Sequence, residues 1–279
     1  MFNPVIFSKE WLKPWLRNPY KRFGRFLQRF MIDAYIVSFP KCGRTWLRCM
    51  LGKAICLKYG LPEELMLNTF RLTSLAGLLR TEFTHDYSDN AWLHYTQLPT
   101  NKRRYAKKKV IFLARNIKDV LVSYYFHCTK RSGEFSGDIS SFIRNEYLGV
   151  KKVITFYNIW YENRNVPLDF LFIRYEEMHR SAKEVLRETL NFLGMKEVDD
   201  YILEEAVAFA RFENMQKMEK EGHFKTGRLK PADLNDPESY KTRRGKVGGY
   251  VDYLSEEDIR YIDQVIEEMG CPFEQMQTL

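Results

Sequence analysis

Residues 35–51 read YIVSFPKCGRTWLRCML, a run that opens with strand-forming apolar residues and closes with helical spacing. Between the two halves lies PKCGRTW, residues 40–46. Pro40 ends the strand and Gly43 permits the turn. Successive backbone N–H groups then open onto a helix N-terminus, which is an anion site. Thr45 adds a hydroxyl donor, and Lys41 reaches a bound phosphate from the strand side. The nucleotide pattern GxxxxGK[ST] is absent, so the hydroxyl that holds magnesium beside a lysine is missing. That argues against ATP or GTP hydrolysis and leaves open which phosphate needs a lysine placed before the turn.

Outward from this stretch, short apolar strands alternate with helices. KKVIFLARN (108–116) is a buried strand followed by the helix IKDVLVSYYFHCTK, and LDFLFIRYEEM (168–178) is a third strand. TEFTH (81–85) supplies a further strand, and helices are expected over 45–59, 138–163, 181–193 and 199–211. Residues 217–250, rich in Gly, Pro and Asp, are expected as an irregular surface loop. Ser255 caps a last helix that ends near Gly270. The pattern specifies an α/β domain: a central parallel sheet flanked by helices, with ligands at the carboxyl ends of its strands.

The 279 residues suit one domain, here 33–279, preceded by an arm over 1–32. With 45% hydrophobic and 15% aromatic residues, the chain has material for a sizeable core. No run of about 18 uncharged apolar residues occurs, so no transmembrane helix is expected. Charges interrupt every apolar stretch before residue 34, which argues against a signal peptide. Five cysteines without CxxC spacing point to a reducing, cytoplasmic setting with neither a metal site nor a disulfide framework. The first 30 residues hold seven cations and one anion, a balance of +6 within a total of +8. The remainder is nearly neutral, so a nucleic-acid partner is not expected.

A second anion site follows the second buried strand. Arg115 stands at the carboxyl end of KKVIFLARN, and Ser123 lies eight residues on, in the next helix. A cation and a hydroxyl there can hold a phosphate separate from the first. Two such sites after neighbouring strands suggest a ligand with two phosphate ends.

These stretches resemble the sulfotransferases that use 3′-phosphoadenosine 5′-phosphosulfate (PAPS). SFPKCGRTW looks like their 5′-phosphosulfate loop, ARNIKDVLVSYY like their 3′-phosphate motif, and RRGKVGGY (243–250) like the segment that closes over that phosphate. The three stand in the family's order over most of the chain. The resemblance implies a P-loop-like sulfotransferase fold, PAPS as co-substrate and no catalytic metal. It implies that Lys41 stabilises the leaving phosphate and that Cys42, Gly43, Arg44, Thr45 and Trp46 bind the nucleotide. By the same matching, Arg115, Ser123, Arg243, Arg244 and Gly245 grip the 3′-phosphate, and Tyr175 and Phe212 pack near the adenine.

The family's general base is a His after a strand, usually in a Thr-His pair. Thr84-His85 supplies that pair, while His94 has the more usual separation from Arg115; His85 is favoured. His127, His179 and His223 are expected to be ordinary surface or packing residues. Departures are Arg44 in place of a small residue, Ala210 where a Thr is frequent, and Gly249-Tyr250 in place of Asp-Trp. The family's C-terminal dimer motif is not visible.

The leading reading is sulfuryl transfer from PAPS to an acceptor hydroxyl, less favourably an amine, on a small or lipid-like molecule. The alternatives are a P-loop nucleotide or metabolite kinase and a non-catalytic membrane adaptor. The aromatics and cations of residues 1–32 suit either peripheral contact with an anionic membrane or packing on the domain's own surface.

Overall fold

The computed structural model describes residues 30–224 and 229–275. Four strands form one sheet: β1 (Ala34–Ser38), β2 (Thr81–Thr84), β3 (Lys109–Ala114) and β4 (Asp169–Arg174). Their order is β2-β1-β3-β4, and every pairing is parallel. From β1 the chain moves outward to β2, then returns across β1 to β3. The crevice between β1 and β3 is therefore the topological switch point, where such sheets bind ligands. The register aligns the strand ends, with Val37 beside Thr84, Ser38 beside Leu113 and Ala114 beside Arg174. Consequently Lys41, His85, Arg115 and Tyr175, which follow the four strands, emerge at one edge.

β1 and β3 are covered on both faces, which is why they read as continuous apolar runs rather than as alternation. Helix α1 (Arg44–Tyr59) packs with α7 (Ala182–Phe192) and α8 (Asp200–Phe209). Helices α3 (Ile117–His127) and α5 (Val150–Glu162) pack together with α10 (Glu256–Met269) and α11 (Pro272–Gln275). In this second group Phe112 of β3 meets Phe156, Trp160 and Phe273, with ring centroids 5.9, 5.8 and 4.8 Å away. All five cysteines are buried and none is in a disulfide.

Three expected boundaries change. The helix over 138–163 is two, α4 (Ile139–Ile143) and α5. Asn145 breaks it: its carboxamide oxygen accepts from the N–H groups of Tyr147 and Leu148, at 2.8 and 3.0 Å, an Asx turn. Strand β4 stops at Arg174, and Tyr175 begins the short helix α6 (Tyr175–Arg180). Glu176 and Glu177 suit a helix N-terminus, and Glu176 accepts from the N–H of Asn116 at 2.8 Å. Helix α9 (Phe212–Lys220) runs into the expected loop, and the described residues of 221–250 are irregular apart from the 3₁₀ turns Pro237–Ser239 and Gly249–Asp252. Helix α2 (Thr69–Leu75) packs against α1 and β2. The arm expected over 1–32 lies, but for its last three residues, outside the described residues.

Candidate active site

The cradle is built from backbone. Gly43 adopts φ 91°, and a Cβ there would stand 2.4 Å from Cδ2 of Tyr175. Only glycine fits. Lys41 takes the left-handed conformation with φ 73° although it carries a side chain, a strained geometry of the kind that collects at functional sites. No side chain caps α1, and no acid occupies its first turn. Its leading N–H groups therefore face the cavity as donors for an anion. The Cys42 side chain is buried, with Sγ 3.3 Å from the Tyr157 hydroxyl.

A cavity of about 640 Å³ opens above this edge, lined by Lys41, Gly43, Arg44, Thr45, Trp46 and His85 from the first half of the chain. From the second half come Arg115, Ser123, Tyr175, Phe212 and Arg243 to Gly245. Every sequence-derived candidate except Cys42 and His94 lines it. Arg115 ties two of the motifs together, donating to the Lys41 carbonyl at 3.2 Å and to the Lys246 carbonyl at 3.0 Å. Its guanidinium lies 4.2 Å from the centre of the Tyr175 ring. Arg243 donates to Glu238 and to the Tyr253 hydroxyl, at 2.9 and 2.7 Å. Arg244 is more exposed and faces Asp252 at 3.4 Å. Gly245, at φ 59°, admits Phe212, whose Cδ2 would stand 2.5 Å from an added Cβ. Trp46, Tyr175 and His179 form an aromatic wall, with centroid separations of 4.7 to 5.8 Å.

The two histidine candidates separate cleanly. His85 sits 2.8 Å through Nδ1 from the Ser38 carbonyl. A carbonyl only accepts, so Nδ1 carries the proton and Nε2 keeps a lone pair. Burial, with Arg44 close by, holds its pKa well below the usual range, so the ring is neutral at pH 7. His94 instead caps the 3₁₀ turn Tyr95–Gln97 and contacts Thr96 and Glu146, at 2.8 and 3.1 Å, away from the cavity lining.

Burial and the nearby cations Arg131, Lys241, Arg115 and Arg243 lower the Lys41 pKa to about 7. Two histidines expected to be ordinary also line the cavity, His127 and His179. Burial beside Lys41 lowers the His127 pKa to about 3. Its spacing from Ser123, four residues on one helix, was an available signal. Asp119, four residues after Arg115, offered the same signal. Its carboxylate accepts from the N–H groups of Gly248 and Tyr250, at 2.8 and 3.1 Å. Lys241 and Glu219, both within the expected loop, carried no local signal.

Comparison with known proteins bears on this geometry. Residues 31–279 match the family model described as sulfotransferase domain. The chain belongs to the sulfotransferase family. The flavonol 3-sulfotransferase of Flaveria bidentis is 26% identical over 257 residues, covering 85% of this chain and 81% of that one. Cytosolic sulfotransferase 6 of Arabidopsis thaliana is 23% identical over 269 residues, covering 85% and 78%. Among solved structures, mouse sulfotransferase SULT7A1 complexed with PAP superposes with a TM-score of 0.58 at 23% identity, covering 86% and 84%. The α/β sulfotransferase fold and the PAPS-dependent enzyme class expected from the three ordered motifs both hold, and the kinase and adaptor alternatives are set aside.

Proposed function

We propose that this sulfotransferase moves the sulfuryl group of PAPS to a hydroxyl of a small-molecule acceptor, with His85 as base and Lys41 at the leaving phosphate. The observation that supports it most is the meeting of Lys41 and a neutral, correctly tautomeric His85 on one cavity wall. The residues present fit the co-substrate: an uncapped helix N-terminus at one end, Arg115, Ser123 and Arg243 at the other, and an aromatic wall between. PAPS supplies an activated S–O bond to its own 5′-phosphate.

The chain's residues do the rest. Nε2 of His85 takes the acceptor's proton as its oxygen forms the new O–S bond. Lys41 stabilises the charge that develops on the phosphate oxygen as the old S–O bond breaks. A phosphate beside Lys41 raises its pKa again, so the lysine is cationic when it is needed. Arg115 and Ser123 hold the 3′-phosphate, while Trp46, Tyr175 and Phe212 hold the adenine. Calorimetry with 3′-phosphoadenosine 5′-phosphate (PAP) and transfer of labelled sulfate from PAPS to a panel of phenols and alcohols test this reading. Failure to bind PAP sinks it.

A cytoplasmic location agrees with the relatives named cytosolic sulfotransferases. The basic aromatic composition of residues 1–32 supports peripheral contact with anionic membranes. Cosedimentation with anionic and neutral vesicles, with and without those residues, decides between that contact and packing on the domain.

A further inference from the structure

Residues 239–250 form a strap with little regular structure whose residues 241–246 line the cavity, yet a fully buried carboxylate meets one end of it. Glu219, near the end of α9, has no exposed surface, and a charge in that position persists only where donors meet it. Both oxygens are met. Oε1 accepts from the Lys241 N–H at 2.7 Å; Oε2 accepts from the Thr242 N–H at 2.9 Å and from the Thr242 hydroxyl. Arg131 stands 3.8 Å from the same carboxylate and donates to the carbonyls of Ser239 and Lys230, the second at 2.9 Å. Four strap or near-strap residues are thus pinned by one Glu–Arg pair.

The consequence is the placement of Lys241, which lines the cavity. Its strongest charged neighbours are Arg131, Arg44, Glu219 and Arg48. Arg44 and Arg48 are also the cations that act on His85, and Lys241 itself acts on Lys41 and His127. Lys241 therefore stands near Lys41 and the arginines that flank His85, among the cations gathered on the cradle side of the cavity. Like charges gathered in a site of low polarity repel one another. An anion placed among them reverses that sign.

We infer that Glu219 is a positioning residue: through the backbone of Lys241 and Thr242 it seats Lys241 as a second cation for the 5′-phosphosulfate, opposite Lys41. This rests on the PAPS-dependent reading above. The cradle then holds the phosphosulfate from the sheet side, and Lys241 closes on it from the strap.

The test compares two nucleotides, PAP and adenosine 3′-phosphate, which lacks the 5′-phosphate, by calorimetry on the full chain. For Lys241→Met, affinity for PAP falls about tenfold or more while that for adenosine 3′-phosphate changes less than about twofold, as expected for one charge-assisted contact. Lys241→Arg restores most of the loss. Glu219→Gln shows the same selectivity in weaker form, because the amide keeps one acceptor oxygen and sets its NH2 donor against one of the two N–H groups. Equal losses for both nucleotides in Lys241→Met, or no loss for PAP, overturn the assignment of Lys241. Equal losses in Glu219→Gln reduce Glu219 to a structural residue and overturn its positioning role. Should Glu219→Gln not fold, Thr242→Val, which removes one donor to the carboxylate, is read against the same two nucleotides. Wild type that binds neither nucleotide overturns the PAPS reading itself, an outcome distinct from all of these.

Discussion

The cradle at residues 41–46 and the strap at residues 239–250 face the same cavity and are built by different means. The cradle is an extension of regular structure: a strand ends, one glycine turns the chain, and a helix begins. Its donors are backbone N–H groups fixed by the sheet on one side and by α1 on the other. The strap has no such frame. Its backbone N–H groups at 241, 242, 248 and 250 are taken by the carboxylates of Glu219 and Asp119, one near each end. A site that must admit and release a nucleotide needs one wall that stays and one wall that opens. Side-chain clamps across α9 and α3 suit the second task, since they can release without unfolding an element.

That contrast sets the expected size of each perturbation. On the proposed mechanism His85→Ala and Lys41→Ala act where bonds change, so they come first. Removal of the base lowers kcat by roughly 10² to 10⁴, and removal of the lysine by roughly 10² to 10³, with PAP binding still measurable by calorimetry in both. His94→Ala leaves kcat within about twofold, because His94 serves a surface turn; a large loss there would move the base.

Next come the two glycines, one in each wall. Gly43→Ala drives a Cβ into the buried Tyr175 ring from a left-handed backbone, whereas Gly245→Ala meets the less buried Phe212. Each incurs a conformational penalty of about 1 kcal/mol or more. The cradle variant is expected to lose more PAP affinity and to melt at lower temperature than the strap variant. Melting curves with and without PAP rank them, and a reversed order would place the rigid wall in the strap.

Asp119→Asn keeps the shape and removes the charge that holds Gly248 and Tyr250. Affinity for PAP falls by about tenfold, the value of a hydrogen bond to a charged group, while the ligand-free melting temperature moves little. An equal fall in stability would show that the clamp belongs to the core instead.

The smallest effect is a titration. Lys41, with a pKa of about 7 in the ligand-free protein, is raised by a bound phosphate. Binding therefore takes up protons above pH 7, and PAP affinity declines as pH rises from 7 toward 9. Calorimetry in two buffers of different ionisation enthalpy measures that uptake at pH 8, and Lys41→Ala reduces it.

Legibility in the sequence follows the same division. The cradle and the Arg115–Ser123 site are contiguous in the chain, so spacing alone placed them at strand ends. Tyr175 was read inside a strand over 168–178, whereas the strand stops at Arg174 and Tyr175 opens a helix. Glu219 and Lys241 are 22 residues apart and meet only through the fold. No local pattern distinguishes a buried Glu in EKEG from a solvated one. The break at Asn145 was missed for a related reason: periodicity on either side conceals an Asx turn whose hydrogen bonds replace one turn of helix.

The buried thiols carry a practical consequence. Burial pushes Cys49 and Cys128 up to about 12 and Cys56 up to about 11, so almost none of these sulfurs is a thiolate at neutral pH. Because the thiolate is the nucleophile, a disulfide reagent reacts with them only when the protein opens. Cys49 and Cys56 lie within α1, whereas Cys128 follows α3. The native chain thus contains its own positional clock, and the order in which its cysteines become labelled reports which part of the domain opens first.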